Sequence, residues 1–255
     1  MTTFERRQSL LDLLQKQPGL RVPEIAQALR VSEGTVRNDL NALETEKLLT
    51  RVHGGAVLRE PPQNFNAAFN IRYQQHNLEK EAIAMKAASL VATGDSLLLD
   101  SSSTAYYFAQ KLTDLQRLRI VTNGIDVARL LAQNPTNTVI LIGGVMNPDG
   151  SSVTGLLSEQ IIAELHIQKA FVSCSGFSVD RGMTEVRFEE AQLKRKALES
   201  VRQIFALVDS SKMGQEDLTP FARPLQITHL FSDVGLSDEW KARLQWANIP
   251  FTVCE

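Results

Sequence analysis

The sequence predicts an α/β protein in two parts: an N-terminal winged helix-turn-helix, followed by a mostly parallel-sheet α/β domain. Two observations carry this. Three short helical patterns and a hairpin signal fill residues 1–58, the combination that supports a recognition helix. From residue 77 to 255, β-prone runs alternate with amphipathic helices, as in a parallel sheet covered on both faces. Residues 59–76 read as a linker. A chain of 255 residues with 43% apolar side chains has enough core material for both parts.

Thr2 and Glu5 are spaced as a capping box, which starts a first helix near Phe4. Phe4, Leu10, Leu11 and Leu14 form its inner side, and Pro18-Gly19 ends it. Pro23 suits the start of the second helix, because it has no N–H to lose there and its φ is already helical. Ile25, Ala26 and Leu29 then make one apolar stripe. Ser32 can cap a third helix, in which Val36, Leu40 and Leu43 face inward. Glu33, Gly34, Thr35, Arg37, Asn38 and Asn41 are left facing out. Short polar side chains on the N-terminal half of such a helix can enter a DNA major groove, and the helix N-terminus favours a phosphate. A plain helical hairpin with a solvated face would carry the same pattern, so the next segment matters.

That segment, Leu48–Leu58, holds two β-prone runs around His53-Gly54-Gly55, a hairpin signal. Three helices and a hairpin make a winged helix-turn-helix. The candidate DNA contacts are therefore Ser32, Glu33, Thr35, Arg37, Asn38 and Asn41 on the helix, with Arg51 and His53 on the wing. Arg37 and Asn38 are the candidates for base or phosphate contact; Thr35 and Arg51 suit the phosphate backbone. His53 also has a plain reading as a polar turn residue.

Residues 1–59 hold nine basic against seven acidic side chains, and the remainder eighteen against twenty-two. A mildly positive head on a negative body fits DNA contact confined to one end. Two cysteines, Cys174 and Cys254, lack metal-ligand spacing and form no disulfide framework. No metal or other cofactor is expected. Without a signal peptide or a membrane-length apolar run, a cytoplasmic location follows and no membrane partner is expected.

Pro61-Pro62 and the Gln/Asn-rich run after it give the linker its character, although Phe65, Phe69, Ile71 and Tyr73 could pack on a neighbour. Strands are expected at Ser96–Asp100, Leu118–Thr122, Thr138–Ile142, Lys169–Ser173, Gln203–Asp209, His229–Ser232 and near Phe251. Helices are expected at Glu79–Val91, Ala105–Leu112, through Ala132, at Ser158–Leu165, Glu189–Val201 and around Trp240. Ligands in such folds bind beyond the carboxyl ends of strands. Those ends carry Asp100-Ser101-Ser102-Ser103-Thr104, Thr122-Asn123-Gly124, Gly143-Gly144 and Asp209-Ser210-Ser211-Lys212. Hydroxyls beside the first amides of a helix can cradle a phosphate or polyol, and Lys212 can neutralise an anion. Singly, each could be only a capped helix start; together they suggest a pocket for a small phosphorylated or polyhydroxylated ligand.

The chain resembles the DeoR-type transcriptional regulators. VSEGTVRNDLNALE followed by RVHGGAV is similar to their recognition helix and wing. LLLDSSSTA, VTNGIDVARLL, LIGGV, KAFVSCSGFS, RGMTE, EEAQLKRKAL and VDSSKMG extend the resemblance over nearly the whole chain. It implies a sensor domain like the sugar-phosphate isomerases. It also implies a repressor of a carbohydrate operon, relieved by a phosphorylated sugar or related metabolite, working as a dimer or tetramer on double-stranded operator DNA. Two positions depart from the family pattern: Ser102 stands where a glycine is usual, and Ser175 where an Asp often precedes the glycine. A Ser can bond a sugar hydroxyl but cannot act as a general base at neutral pH.

Ser102, Ser103, Thr104 and Lys212 are thus expected to hold the phosphate, with Asp100, Asn123, Gly143, Gly144, Ser175 and Glu190 lining the rest. A rival reading is an isomerase with an appended helical domain, which needs a carboxylate base and an oxyanion stabiliser. Glu189, Glu190, Lys194 and Lys212 are conceivable parts, but with Ser175 in the loop the set looks incomplete, so a non-catalytic sensor is favoured. A third reading, a pure oligomerisation module, leaves the clustered hydroxyls and Lys212 without a role.

Overall fold

The computed structural model describes residues 6–7, 9–10, 13–14, 20–45, 49–52, 55–58 and 67–255, apart from the side chains at 45, 50–52, 55, 57–58 and 67–68. The chain divides into two compact units, Met1–Phe65 and Asn66–Glu255. The capping box at Thr2 and Glu5, the inner residues Phe4 and Leu11, the Pro18-Gly19 stop and the turn at His53-Gly54 lie outside the described residues.

In the first unit, helical Leu10 and Leu14 pack with α1 (Val22–Leu29), α2 (Glu33–Thr45) and the hairpin β1 (Leu49–Val52) and β2 (Gly55–Leu58). The α1 helix opens with Pro23 in its first turn and the Glu24 carboxylate accepting the Arg21 N–H at 2.7 Å. It stops at Arg30, whose φ of 55° is left-handed, the helix-ending geometry that satisfies the last carbonyls. The Val31 N–H closes the turn on the Ala26 carbonyl at 3.0 Å. Ser32 then caps α2, accepting the Thr35 N–H at 3.1 Å. Val36, Leu40 and Leu43 are buried against Val22 and Ile25, as the spacing predicts. The hairpin is antiparallel, pairing Leu49 with Leu58 and Val52 with Gly55, and Leu49 and Ala56 close the core.

The second unit begins with a helix where the sequence reads as a linker: α3 (Ala67–Gln74). Its Phe69 is buried, and Tyr73 stacks on Tyr107. Burial of the Phe69 ring and stacking of the half-buried Tyr73 outweigh a composition that otherwise looks loop-like. Then follow α4 (Asn77–Ala88), β3 (Ser96–Leu99), α5 (Ser103–Gln110), β4 (Arg119–Thr122), α6 (Ile125–Leu131) and β5 (Thr138–Leu141). The hairpin β6 (Val145–Met146) and β7 (Val153–Thr154) precedes α7 (Leu156–Ala163) and β8 (Ile167–Val172). After β9 (Gly176–Ser178) and β10 (Gly182–Glu185) come α8 (Phe188–Leu198), β11 (Val201–Leu207) and β12 (Thr219–Ala222). The chain closes with β13 (His229–Asp233), α9 (Asp238–Trp246) and β14 (Phe251–Cys254).

Seven of these strands form one sheet in the order β14-β13-β11-β8-β3-β4-β5, and every neighbouring pair is parallel. Strand alternation splits the apolar residues between two cores. Leu97, Leu99, Phe171 and Phe205 pack with α4, α5 and α6; Leu98, Ala170, Val172 and Ala206 pack with α7, α8 and α9. The inner strands β3, β4, β8, β11 and β13 are therefore buried on both sides over most of their length, which is why they read as apolar runs rather than alternating ones, while the edge strand β5 is largely exposed. The strand order reverses between β3 and β8, so the loops leaving these two strands diverge and open a crevice.

The sequence does not anticipate the β6–β7 hairpin or the small antiparallel sheet β12-β10-β9. Their strands are two to four residues long, too short to carry a period of their own.

Candidate functional site

On the first unit, Ser32, Glu33, Arg37, Asn38 and Asn41 are exposed and Thr35 is half-buried. The face predicted to meet DNA is thus presented rather than packed into its own unit's core. The Ser32 and Thr35 hydroxyls lie 2.9 Å apart. Arg37 pairs with Glu33 one turn away at 3.1 Å, an exposed contact worth a few tenths of a kcal/mol, roughly, that a phosphate or base edge can replace. Arg51 lies on β1, and His53 is outside the described residues. The sequence reading misses Asp39. It is buried on α2 and takes Arg6 at 2.5 Å and Arg7 at 3.2 Å. Burial pushes its carboxyl upward, but the two guanidinium groups outweigh that and hold it below the ordinary carboxylate value.

On the second unit, a cavity of about 470 Å³ lies at the carboxyl ends of β3, β8 and β11. Of the predicted ligand residues, Ser102, Ser103, Ser175, Glu190 and Lys212 line it. Asp100, Thr104, Asn123, Gly143 and Gly144 do not, and each has another place. The Asp100 carboxylate accepts the Ser102 N–H at 3.1 Å, the Ser102 hydroxyl at 2.5 Å and the Ser173 N–H at 3.0 Å. It pins the two diverging loops from beneath. Thr104 is fully buried in the first turn of α5, and its hydroxyl finds no partner among the described residues. Asn123 stands behind the wall and donates to Glu190 at 3.1 Å. The Gly143 carbonyl accepts the Ser158 hydroxyl at 2.8 Å. A Cβ on Gly144 would lie 2.3 Å from the Ser158 oxygen and 2.5 Å from the Thr154 carbonyl oxygen. This glycine lets α7 and the hairpin close together, so it is a packing residue, not a ligand-facing one.

Ser102 lines the cavity, yet its hydroxyl is committed: it donates to Asp100 and caps α5 by accepting the Ala105 N–H at 3.1 Å. The helix's early amides are what it leaves for an anion. Glu190 is nearly buried, with Asn147 at 2.6 Å and Ser152 at 2.5 Å on one oxygen and Asn123 on the other. Burial raises its pKa in spite of nearby Lys194. Ser175 donates to Glu185 at 2.6 Å, and the other Glu185 oxygen takes Lys194 at 2.5 Å. Lys194 also reaches Asp100 at 2.8 Å. Burial alone would lower the lysine's pKa, but the surrounding carboxylates raise it, so it stays charged.

Two cations are differently placed. Lys212 sits 3.4 Å from Asp209 and is partly exposed. Lys80 is 3% exposed and forms no ion pair among the described residues. Its ammonium donates to the carbonyls of Arg72 and Gln75. Burial, then the neighbouring positive charges of Lys212 and Arg72, bring its pKa down to about 8. Arg72, His76 and Lys80 all line the cavity, and the sequence reading misses all three. A signal existed for Lys80: it shares the inward stripe of α4 with Ile83, Ala84 and Ala87, and a lysine in an apolar stripe has a reason to be there. Cys174 also lines the wall, its thiol pushed up to about 12 by burial.

Residues 6–61 match the DeoR-like helix-turn-helix domain, and residues 75–234 match the DeoR C terminal sensor domain. The chain belongs to the DeoR family. It is 35% identical to the HTH-type transcriptional regulator GolR of Listeria innocua over the whole of both chains. It is 33% identical to the lactose phosphotransferase system repressor of Streptococcus mutans, covering 98% of this chain and 99% of that one. It is 31% identical to the glycerol-3-phosphate regulon repressor of Haemophilus influenzae, covering 89% and 88%. This DeoR-family chain is therefore a DNA-binding transcriptional regulator, with a helix-turn-helix unit and a sensor unit. Among its described residues, no helix is long and apolar enough to cross a membrane.

Proposed function

We propose that this DeoR-family regulator represses a carbohydrate operon as a homo-oligomer in the cytoplasm and releases its operator when a sugar phosphate enters the sensor cavity. The observation that carries this is Lys80, a buried ammonium that makes no ion pair among the described residues, beside Lys212 and the first turn of α5. An ammonium has three donors, and two are engaged by carbonyls. A phosphate would add counter-charge at close range, beyond the more distant Asp209 and Glu79, and take the third donor. The hydroxyls of Ser103, Ser151 and Ser175 on the wall suit the polyol portion. Relatives named as the lactose phosphotransferase system repressor and the glycerol-3-phosphate regulon repressor support repression, while an L-fucose operon activator of Haemophilus influenzae supports the carbohydrate reading alone. On the DNA side, Ser32, Glu33, Thr35, Arg37, Asn38, Asn41, Arg51 and His53 remain the proposed contacts, with Arg37 and Asn38 meeting a base or a phosphate.

The sensor is non-catalytic in this reading. Proton abstraction beside a carbonyl needs a carboxylate free to accept. Both oxygens of Glu190 and of Glu185 are occupied by donors, and Asp209, whose Oδ2 accepts no hydrogen bond among the described residues, is held ionised despite its burial by Lys212 beside it, which makes it a weak base. A panel of aldose and ketose phosphates tests the proposal by thermal shift, since a ligand of the folded state raises its melting temperature. At least one compound should stabilise the protein without being turned over. Lys212→Ala should lose most of that shift, whereas equal shifts in both proteins, or steady isomerisation by the wild type, would refute the reading.

A further inference from the structure

The first helix of the sensor unit is held by ties that converge on the cavity wall. Tyr73 of α3 stacks on Tyr107 with 4.6 Å between ring centroids, and Phe69 meets Tyr106 edge-on at 5.8 Å. The Tyr107 hydroxyl donates to the Tyr73 carbonyl at 3.3 Å. At its far end the Lys80 ammonium grips the Arg72 and Gln75 carbonyls, and Arg72 itself lies 3.6 Å from Asp149. The chain then turns through His76 at φ 51°, a left-handed conformation that side chains with a Cβ adopt at a cost.

Each tie leads back to the place where an anion would sit. The α5 helix that carries Tyr106 and Tyr107 starts with Ser103 on the wall. Lys80 holds α3 with two donors and has the third left over. The Arg72 side chain is half exposed, so its pairing with Asp149 contributes little and can be shared with a ligand. Eight residues of helix have almost no stability of their own, so α3 stays in place only while these contacts last. In sequence, α3 follows the hairpin of the DNA-binding unit after residues 59–66.

We propose that α3 is the transmitting element of the regulator: an anionic ligand bridging Lys80 and Arg72 fixes α3 on the sensor, and fixing α3 lowers operator affinity. The ligand meets Arg72 only when α3 is docked, which supplies the unequal affinity for two states that coupling requires. This rests on the cavity being the sugar-phosphate site proposed above.

The test uses the full-length protein and a duplex recovered from genomic fragments that it retains. The probes are inorganic phosphate and the tightest sugar phosphate of the panel. Phe69→Ala removes a docking ring that packs on Tyr106 and does not line the cavity. Its operator affinity without ligand should stay within about threefold of wild type, and the sugar phosphate should still bind. The ligand-induced loss of operator affinity, about tenfold or more in the wild type, should fall below about twofold. In parallel, the amides of residues 67–76 in the wild type should exchange more slowly with ligand bound. Should Phe69→Ala fail to fold, Tyr107→Phe, which loses one hydrogen bond, should still weaken the response. A full response in the folded variant, or wild-type exchange at 67–76 indifferent to a bound ligand, overturns the role of α3 alone. If neither probe binds the wild type, the sugar-phosphate reading fails and this role fails with it.

Discussion

Lys80 sits on the apolar stripe of α4 and also faces the cavity, so its charge responds to whatever enters. Its pKa near 8 reflects burial first, and then Lys212 and Arg72; Asp209 and Glu79 oppose them. Above that pH the ammonium loses its proton, and a bound phosphate loses a partner. Sugar-phosphate affinity is therefore expected to fall as pH rises from about 7 to about 9, by several-fold. Calorimetric titration across that range checks it, and Lys80→Arg should flatten the slope because a guanidinium stays charged. For folding the sign differs. The native state disfavours the ionised form, so stability from this residue rises between pH 8 and the ordinary lysine value of 10.5. Lys194 shows the contrary case: buried as deeply, it is surrounded by carboxylates that keep its charge, and it braces the loops instead of awaiting a ligand.

At the scale of elements, α2 must do two things at once, and its two sides divide them. The inner side is legible as Val36, Leu40 and Leu43, all buried. The outer side carries Arg37 and Asn38. Between them Asp39 ties α2 to the preceding helical residues through Arg6 and Arg7. Arg37→Ala should weaken operator binding in a gel shift at fixed salt while leaving the melting temperature almost unchanged. Asp39→Ala should do the reverse first: a loss of about 1–3 kcal/mol in denaturant unfolding, since it removes charge-assisted hydrogen bonds from a mostly buried site. Equal effects of both variants on stability would show that the division between the two sides is wrong. Pairing by Arg6 and Arg7 lowers the Asp39 pKa, so this contribution is present above about pH 4 and lost as pH falls through the folded-state value.

For the molecule as a whole, the hydrophobic residues among those described form separate cores. One contains only residues from Leu10 to Ala56, and the other two lie on opposite faces of the large sheet. A fragment of residues 66–255 is therefore expected to fold and to bind the same sugar phosphate as the intact chain, within about threefold. It should not bind operator DNA. Differential scanning calorimetry and ligand titration of the fragment check this, and a fragment that unfolds or ignores the ligand would contradict independent units. Seven parallel strands pair in an order unlike their order in the chain, and that order alone puts the cavity between β3 and β8.

The sequence by itself determined the kind of each long element except α3, because burial period is a local property. It determined the capping of α2 by Ser32, and the hydroxyl-rich strand ends at Ser102, Ser103 and Lys212. Only the tertiary structure decided which strand ends meet. Asp100, Asn123 and Gly144 looked like ligand-facing residues in the chain and became braces and packing points, while Lys80 and Arg72 reached the cavity from a stretch that reads as linker and helix. The reason is that strand order and the docking of α3 rest on contacts between residues far apart in sequence, and no local pattern encodes the partner.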